Sequence, residues 1–526
     1  MQPSAEQPVE GARPSIWQAT ADVPSYPKLK EDLTVDVCVV GAGIAGLTTA
    51  YHLVREGKRV VVLDDGPVGG GETGRTTAHI ATAVDDYYHE IARIHGEETA
   101  RRVAESFRAA LDRIEGIVRD EAIDCEFTRL DGWWFSANAD GQATLDAELD
   151  AARAAGEGVE MVEDWPLARA FPDAPFPSRA LRFPNQGQFH ALKYLAGLAR
   201  AVEERGGRIF SGAHVNGVED ASQGRKCTVK TESGRTVRAS DVVIATNTPV
   251  NDWVTMHTKQ APYRTYVIGL RVSRGWLPPG LYWDTLDPYH YVRLASPLGT
   301  GDEDVLIVGG EDHKTGQSAT PPEEAFGRLE AWARAHFPAA GDTVYRWSGQ
   351  VMEPVDFLGF IGRNPGSEHL WIATGDSGNG MSHGTIAGML LTDLILGRAS
   401  SWEPVYDPAR VTLKATPVAE FVKENLNVAA QYRDLVTRGE VSEVAEIPFG
   451  EGRVMRRGAK KLAVHRSDSG EVTVRSAVCT HLYCVVGWNS AEKTWDCPCH
   501  GSRFAHDGTV LNGPAVAPLE ESSLDE

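Results

Sequence analysis

Residues 33–65 read LTVDVCVVGAGIAGLTTAYHLVREGKRVVVLDD. The first eight form an apolar run suited to a buried β-strand. Gly41-Ala42-Gly43-Ile44-Ala45-Gly46 follows, then a helical stretch from Leu47 to Glu56. A second strand is predicted over Arg59 to Leu63, ending in Asp64 and Asp65. Strand, G-x-G-x-x-G, helix, strand and an acid about 20 residues on form a dinucleotide fingerprint. Gly41 permits the tight turn, Gly43 admits a pyrophosphate close to the backbone, and Gly46 lets helix and strand approach. The unpaired N–H groups of the helix start, around Ile44 and Ala45, suit the phosphates. Asp64, with Asp65 beside it, is placed for ribose hydroxyls. The class expected is α/β with a doubly wound sheet. FAD and NAD both fit the fingerprint.

Residues 66–80, GPVGGGETGRTTAHI, favour FAD. This run resembles the amine and amino-acid oxidase family related to D-amino-acid, glycine and sarcosine oxidases. The resemblance implies that Gly71, Arg75, Thr76, Thr77 and Ala78 pass the FAD pyrophosphate and reach the flavin ring. Residues 208–247 and 371–396 resemble the same family. They imply an adenine contact at Val215, a strand ending at Ala245 and Thr246, and a closing turn with Gly375, Asn379, Gly380, Met381 and Ser382 at the flavin edge. An antiparallel substrate-domain sheet is expected from Tyr263 to Val272, Tyr289 to Leu294 and Val305 to Gly310.

Flavin amine oxidation requires positioning more than acid–base chemistry. Candidate catalytic residues are therefore Tyr263, Tyr289, Tyr291 and His313 as flavin-facing groups, and Arg293 as a carboxylate clamp. The alternative for each is a packed structural role. The sarcosine-oxidase branch carries Lys in the closing turn where Ser382 stands, which weakens a simple N-methylglycine substrate. The Cys that links FAD covalently in that branch has no counterpart between Leu294 and Gly310, and the His that does so in related dehydrogenases falls at Arg75. Noncovalent FAD is expected.

Near the C-terminus lie two further loops, Cys479-Thr480-His481 and Cys497-Pro498-Cys499-His500. Each offers one thiolate and one imidazole, and together they match the ligand set of a Rieske [2Fe–2S] centre. Zinc is the alternative, but C-x-H is not its usual spacing. Residues 497–515, CPCHGSRFAHDGTVLNGPA, resemble the cytochrome bc-type Rieske domain. The resemblance implies Cys479, His481, Cys497 and His500 as ligands, a Cys484–Cys499 disulfide, and a Ser502 hydroxyl on a bridging sulfide. Phe504 stands where high-potential members carry Tyr, so a lower potential is expected. Tyr483 stands where Gly is usual.

The chain has 526 residues and a net charge of −21, which argues against nucleic acid or an anionic membrane as partner. The N-terminus lacks a basic segment followed by an apolar one, and no apolar run of about 18 residues occurs. A cytoplasmic protein is expected, divided as a 1–31 extension, a 32–400 FAD-dependent oxidoreductase with discontinuous subdomains, a 401–440 helical linker and a 441–526 all-β Rieske domain. The full chain resembles bacterial FAD-dependent oxidoreductases with a C-terminal Rieske domain. That implies a small-molecule amine or amino-acid-like substrate, hydride transfer to FAD, and single electrons passed through the cluster to an external acceptor. A flavin–Rieske electron-transfer component and an oxygen-using oxidase with a structural cluster are the alternatives.

Overall fold

The computed structural model describes residues 13–221, 224–250, 256–296, 301–318, 320–412 and 414–524. Part of the N-terminal segment read above, residues 1–12, lies outside them.

The fingerprint strand is shorter than expected. Val37–Val40 enters the central sheet, whereas Leu33–Thr34 pairs with Thr236–Ala239 in a small separate sheet. Asp36 makes the break: its carboxylate is held by Arg59 at 2.7 Å and its N–H donates to the Arg59 carbonyl. The central sheet has six strands in the order Phe360–Arg363, Leu370–Thr374, Asp241–Ile244, Val37–Val40, Val60–Leu63 and Arg208–Phe210. All pair in parallel except the first, an antiparallel edge. Helices Ile44–Arg55 and Gly380–Ile395 pack against one another on this sheet, and Gly384 and Gly388 give the close approach by facing Ile44 and Thr48. This is the doubly wound architecture, closed by a segment that returns late in the chain.

A nine-stranded, mainly antiparallel sheet forms the second layer. Its longest strands, Gln260–Ser273, Glu303–Lys314 and Thr343–Pro354, lie side by side. Helix Pro322–His336 covers one face through Phe326 and Leu329. Helix Ala415–Gln431 then leads to two small antiparallel sheets, of three and four strands, that make the all-β C-terminal unit. Its core gathers Val454, Trp495 and Phe504 around four of the cysteines.

The short helix Ile16–Thr20 belongs to the core as well. Ile16 and Trp17 are fully buried, and the Trp17 indole donates to the Thr76 carbonyl at 2.6 Å. No described helix is long and apolar enough to cross a membrane.

Candidate functional site

One continuous cavity of about 1700 Å³ runs between the two large sheets. Its inner end is built by the fingerprint. Gly41, Gly43, Ile44 and Ala45 line it, with Asp64, Asp65, Gly71, Val215, Ala245 and Thr246. Gly46 does not reach the cavity. A Cβ there would strike the Gly41 carbonyl, so its role is close helix–strand packing. Gly41 has φ of 106° and is pressed on the Ala245 carbonyl. Asp64 accepts from the N–H groups of Ala42 at 2.6 Å and Gly66 at 2.8 Å, leaving lone pairs free toward the cavity. Burial, with the Asp65 charge beside it, pushes its carboxyl up to about 7. This cradle fits a dinucleotide. Gly41→Ala should lose bound flavin and destabilise the fold by roughly 1–3 kcal/mol, read from the ratio of flavin to protein absorbance and from thermal melting.

The outer end differs from the sequence expectation. Arg75, Thr76, Thr77, Asn379, Gly380, Met381, Tyr289 and Tyr291 line the cavity, but Ala78, Gly375 and Ser382 do not. The Ser382 hydroxyl donates to the Ala81 carbonyl at 3.2 Å. Three of the five candidate catalytic residues also lie off the wall. The Arg293 guanidinium is buried off the cavity wall, where its Nε donates to the Leu294 carbonyl and its Nη1 to the carbonyls of Thr77, Ala78 and Phe189, so it does not reach a substrate carboxylate in the cavity. His313 follows Asp312, which lines the cavity; strand alternation turns the histidine to the other face, where it stacks on Tyr266. Tyr263 sits beyond the cavity edge, against Lys314.

In their place stand acids that no motif announces. Asp85, Asp312, Glu353 and Asp376 line the cavity beside Tyr87 and Trp283. Asp85 accepts from the Tyr289 hydroxyl at 2.7 Å. The Ser377 hydroxyl bridges Asp86 and Glu353. Burial pushes these carboxyls up, Asp312 to about 7 and Asp376 to about 6.

The C-terminal unit closes the cavity. Thr494, Arg503, Asn512 and Ala515 contribute to its wall. Asn512 donates to Glu72 at 3.3 Å. Gln350, a cavity residue, donates to the Gly501 carbonyl at 3.1 Å. A buried ion network locks this face: Glu492 meets Arg75 at 3.0 Å and Arg503 at 3.6 Å, and Asp496 meets Arg503 at 3.3 Å and Arg264 at 3.8 Å. Burial alone would raise Glu492 and Asp496, but the arginines hold both below the usual carboxylate range.

Gly501 follows His500 directly. The rings of His481 and His500 lie 5.1 Å apart at 86°, with both residues buried. Cys479 and Cys497 are buried beside one another, within reach of the Ser502 hydroxyl. Cys484 and Cys499 form a disulfide. Two thiols and two imidazoles converging from two loops fit a [2Fe–2S] centre with mixed ligands. A third histidine went unrecognised in the sequence: His257, from the oxidoreductase part, packs on His481 at 4.8 Å and His500 at 5.6 Å.

Comparison with known proteins agrees with this geometry. The FAD dependent oxidoreductase family matches residues 36–394, and the Rieske [2Fe-2S] domain matches residues 437–523. A Bacillus subtilis protein named as a Rieske 2Fe-2S iron-sulfur protein, YhfW, is 31% identical over 97% of this chain and 98% of its own. Gamma-glutamylputrescine oxidoreductase of Escherichia coli is 25% identical over 72% of this chain and 87% of its own. Among solved structures, glycine oxidase from Geobacillus kaustophilus superposes with a TM-score of 0.61 at 19% identity, covering 72% of this chain and 99% of that one.

Proposed function

The chain belongs to the FAD-dependent oxidoreductase family and carries a Rieske [2Fe-2S] domain at its C-terminal end, and on that footing we propose that it oxidises an amine or amino-acid-like substrate and delivers the electrons, through the cluster, to an external acceptor. The observation that supports this reading is the shared wall: Gln350 lines the cavity and also holds Gly501, the neighbour of His500. When bound, FAD supplies a two-electron hydride acceptor and the cluster a one-electron carrier.

The chain's own residues divide the remaining work. Gly41, Gly43, Ile44 and Ala45 receive the phosphates, Asp64 the ribose and Val215 the adenine. Thr76, Thr77, Asn379, Gly380 and Met381 hold the ring end. Tyr289 and Tyr291 orient the substrate, their hydroxyls fixed by Asp85 at 2.7 Å and Thr265 at 2.7 Å. Arg293 is a positioning residue in this scheme, since it ties the Thr77–Ala78 backbone to the substrate sheet. Cys479, His481, Cys497 and His500 hold the cluster, and His257 keeps its histidine edge against the oxidoreductase part. The same proposal places the protein in the cytoplasm, with the disulfide shielded by burial of Cys484 and Cys499.

Anaerobic mixing of the FAD-loaded chain with amines and amino acids tests the reading, with bleaching of flavin absorbance expected. Bleaching by NADH or NADPH and by none of the amines would overturn it in favour of an electron-transfer component. The cluster's potential is tunable at Phe504, which is fully buried and pairs with Trp495 across the sheet. Phe504→Tyr should raise the midpoint by adding a donor near the ligand sulfurs, as a redox titration followed by EPR would register.

A further inference from the structure

The acids of the outer chamber have no stated task in amine oxidation, and their surroundings are distinctive. They come from four segments: Asp85 after residues 66–80, with Asp86 behind it on Ser377, Asp312 on strand Glu303–Lys314, Glu353 on strand Thr343–Pro354, and Asp376 in the closing turn. Among the described residues none is paired with a Lys or Arg. Their mutual influence is repulsive: Asp85 acts on Asp86, Asp312 and Glu353, and Asp376 on Glu353. The Asp312 Oδ1 atom is sealed from solvent and has no hydrogen-bond partner. Aromatic faces stand beside the acids. Tyr289 and Tyr291 are 5.3 Å apart, and Tyr87 and Trp283 complete the wall.

Of the cations on the cavity wall, Lys28 stands beside Gly212 at the dinucleotide end and Arg13 lies over the Phe326 ring. Arg75 and Arg503 are both claimed by Glu492. Arg293 lies off the cavity wall, with its Nη1 on the carbonyls of Thr77, Ala78 and Phe189. His79, which lines the cavity, is pushed down to about 3 by burial and by the Arg293 charge, so it is neutral. Burial and mutual repulsion disfavour the charged form of these carboxyls, and a cation that enters the chamber stabilises it. Aromatic faces next to carboxylates favour ammonium groups further. One ammonium offsets one carboxylate, while Asp312 and Glu353 stand two strands apart on the same sheet, with strand Gln260–Ser273 between them.

We propose that the substrate is an aliphatic amine with at least two ammonium groups and no carboxylate, one held by Asp312 and another by Asp85 and Glu353. This deepens the amine-oxidation reading and rests on it. It sets the chain apart from enzymes that grip an α-carboxylate: the chamber selects by negative charge.

The test is calorimetric titration of the FAD-loaded full chain, kept anaerobic, with spermidine and separately with sarcosine. Spermidine should bind at least about tenfold more tightly. Asp312→Asn should weaken spermidine about tenfold or more and leave sarcosine unaffected. The ligand-free melting temperature of that variant should not fall, because the substitution removes a carboxyl whose charged form burial disfavours. Asp85→Asn provides a second variant with the same expected loss. Sarcosine binding as tightly as spermidine, or unchanged spermidine affinity in both folded variants, overturns the charge assignment. Bleaching by sarcosine without spermidine binding overturns the assignment alone, whereas bleaching by NADPH and by no amine overturns amine oxidation and the assignment together.

Discussion

Cys497→Ser should abolish the Rieske EPR signal and leave flavin content at the parent level. Cys497 is almost fully buried and opens the second ligand loop. The loop closes through its own backbone: the Cys497 N–H donates to the Ser502 carbonyl at 2.8 Å, and the Gly501 N–H donates back to Cys497 at 3.2 Å. A serine keeps those bonds and nearly the same volume, so the loop should persist. What is lost is a soft thiolate, and a hydroxyl is a poor substitute on iron. Cys497 takes no part in the cavity wall, which separates the two cofactors' responses. Substrate should still bleach the flavin, while turnover with an artificial one-electron acceptor should fall to a small fraction of the parent rate. Undiminished turnover with oxygen as sole acceptor would sink the relay and leave an oxidase with a structural cluster.

Glu492→Gln carries the second large effect. The parent carboxylate is 2% exposed and is shared by Arg75 and Arg503, with the Ser348 hydroxyl donating at 2.8 Å. Without its charge, Arg75 loses its carboxylate partner, and Arg264 and Arg503 are left with Asp496 and the more distant Glu72. Breaking one member of a buried ion network costs about 3–5 kcal/mol, because the partners remain buried and uncompensated. The loss should appear as a lower melting temperature and as faster proteolysis between residues 401 and 440, where the C-terminal unit joins. Acid should act similarly. The folded carboxyls of Glu492 and Asp496 lie below their unfolded values, so their stabilisation is complete above the ordinary carboxylate range, near 4, and is lost as pH falls through the lower folded values. A melting series from pH 7 to pH 3 should show a shallower acid decline in Glu492→Gln than in the parent. Equal slopes would show that the network contributes nothing to docking.

Much of the fold is legible because its signals are local. The turn at Gly41 works only with particular neighbours a few residues away, and the Cys/His loops carry their ligands two or three positions apart. Strand Gln260–Ser273 and helix Gly380–Ile395 follow from runs of apolar residues. Such features survive in one dimension, since the interacting atoms are close along the chain. The substrate side offers no such handle. Arg293 has the chemistry of a carboxylate clamp, yet its guanidinium meets carbonyls more than 100 residues away. His313 and Asp312 differ by one position, and only the sheet decides which of them faces the cavity.

The sequence by itself determined the two cofactor types and the order of the units, and it singled out Cys479, His481, Cys497 and His500 as candidate ligands, because ligand spacing and glycine corners are short-range constraints. Tertiary structure alone decided the acidic, aromatic character of the outer chamber and the seating of His257 on His481 and His500. Those depend on which side chains of distant segments are buried together, and on which lose their charge partners there. No window of sequence contains that information.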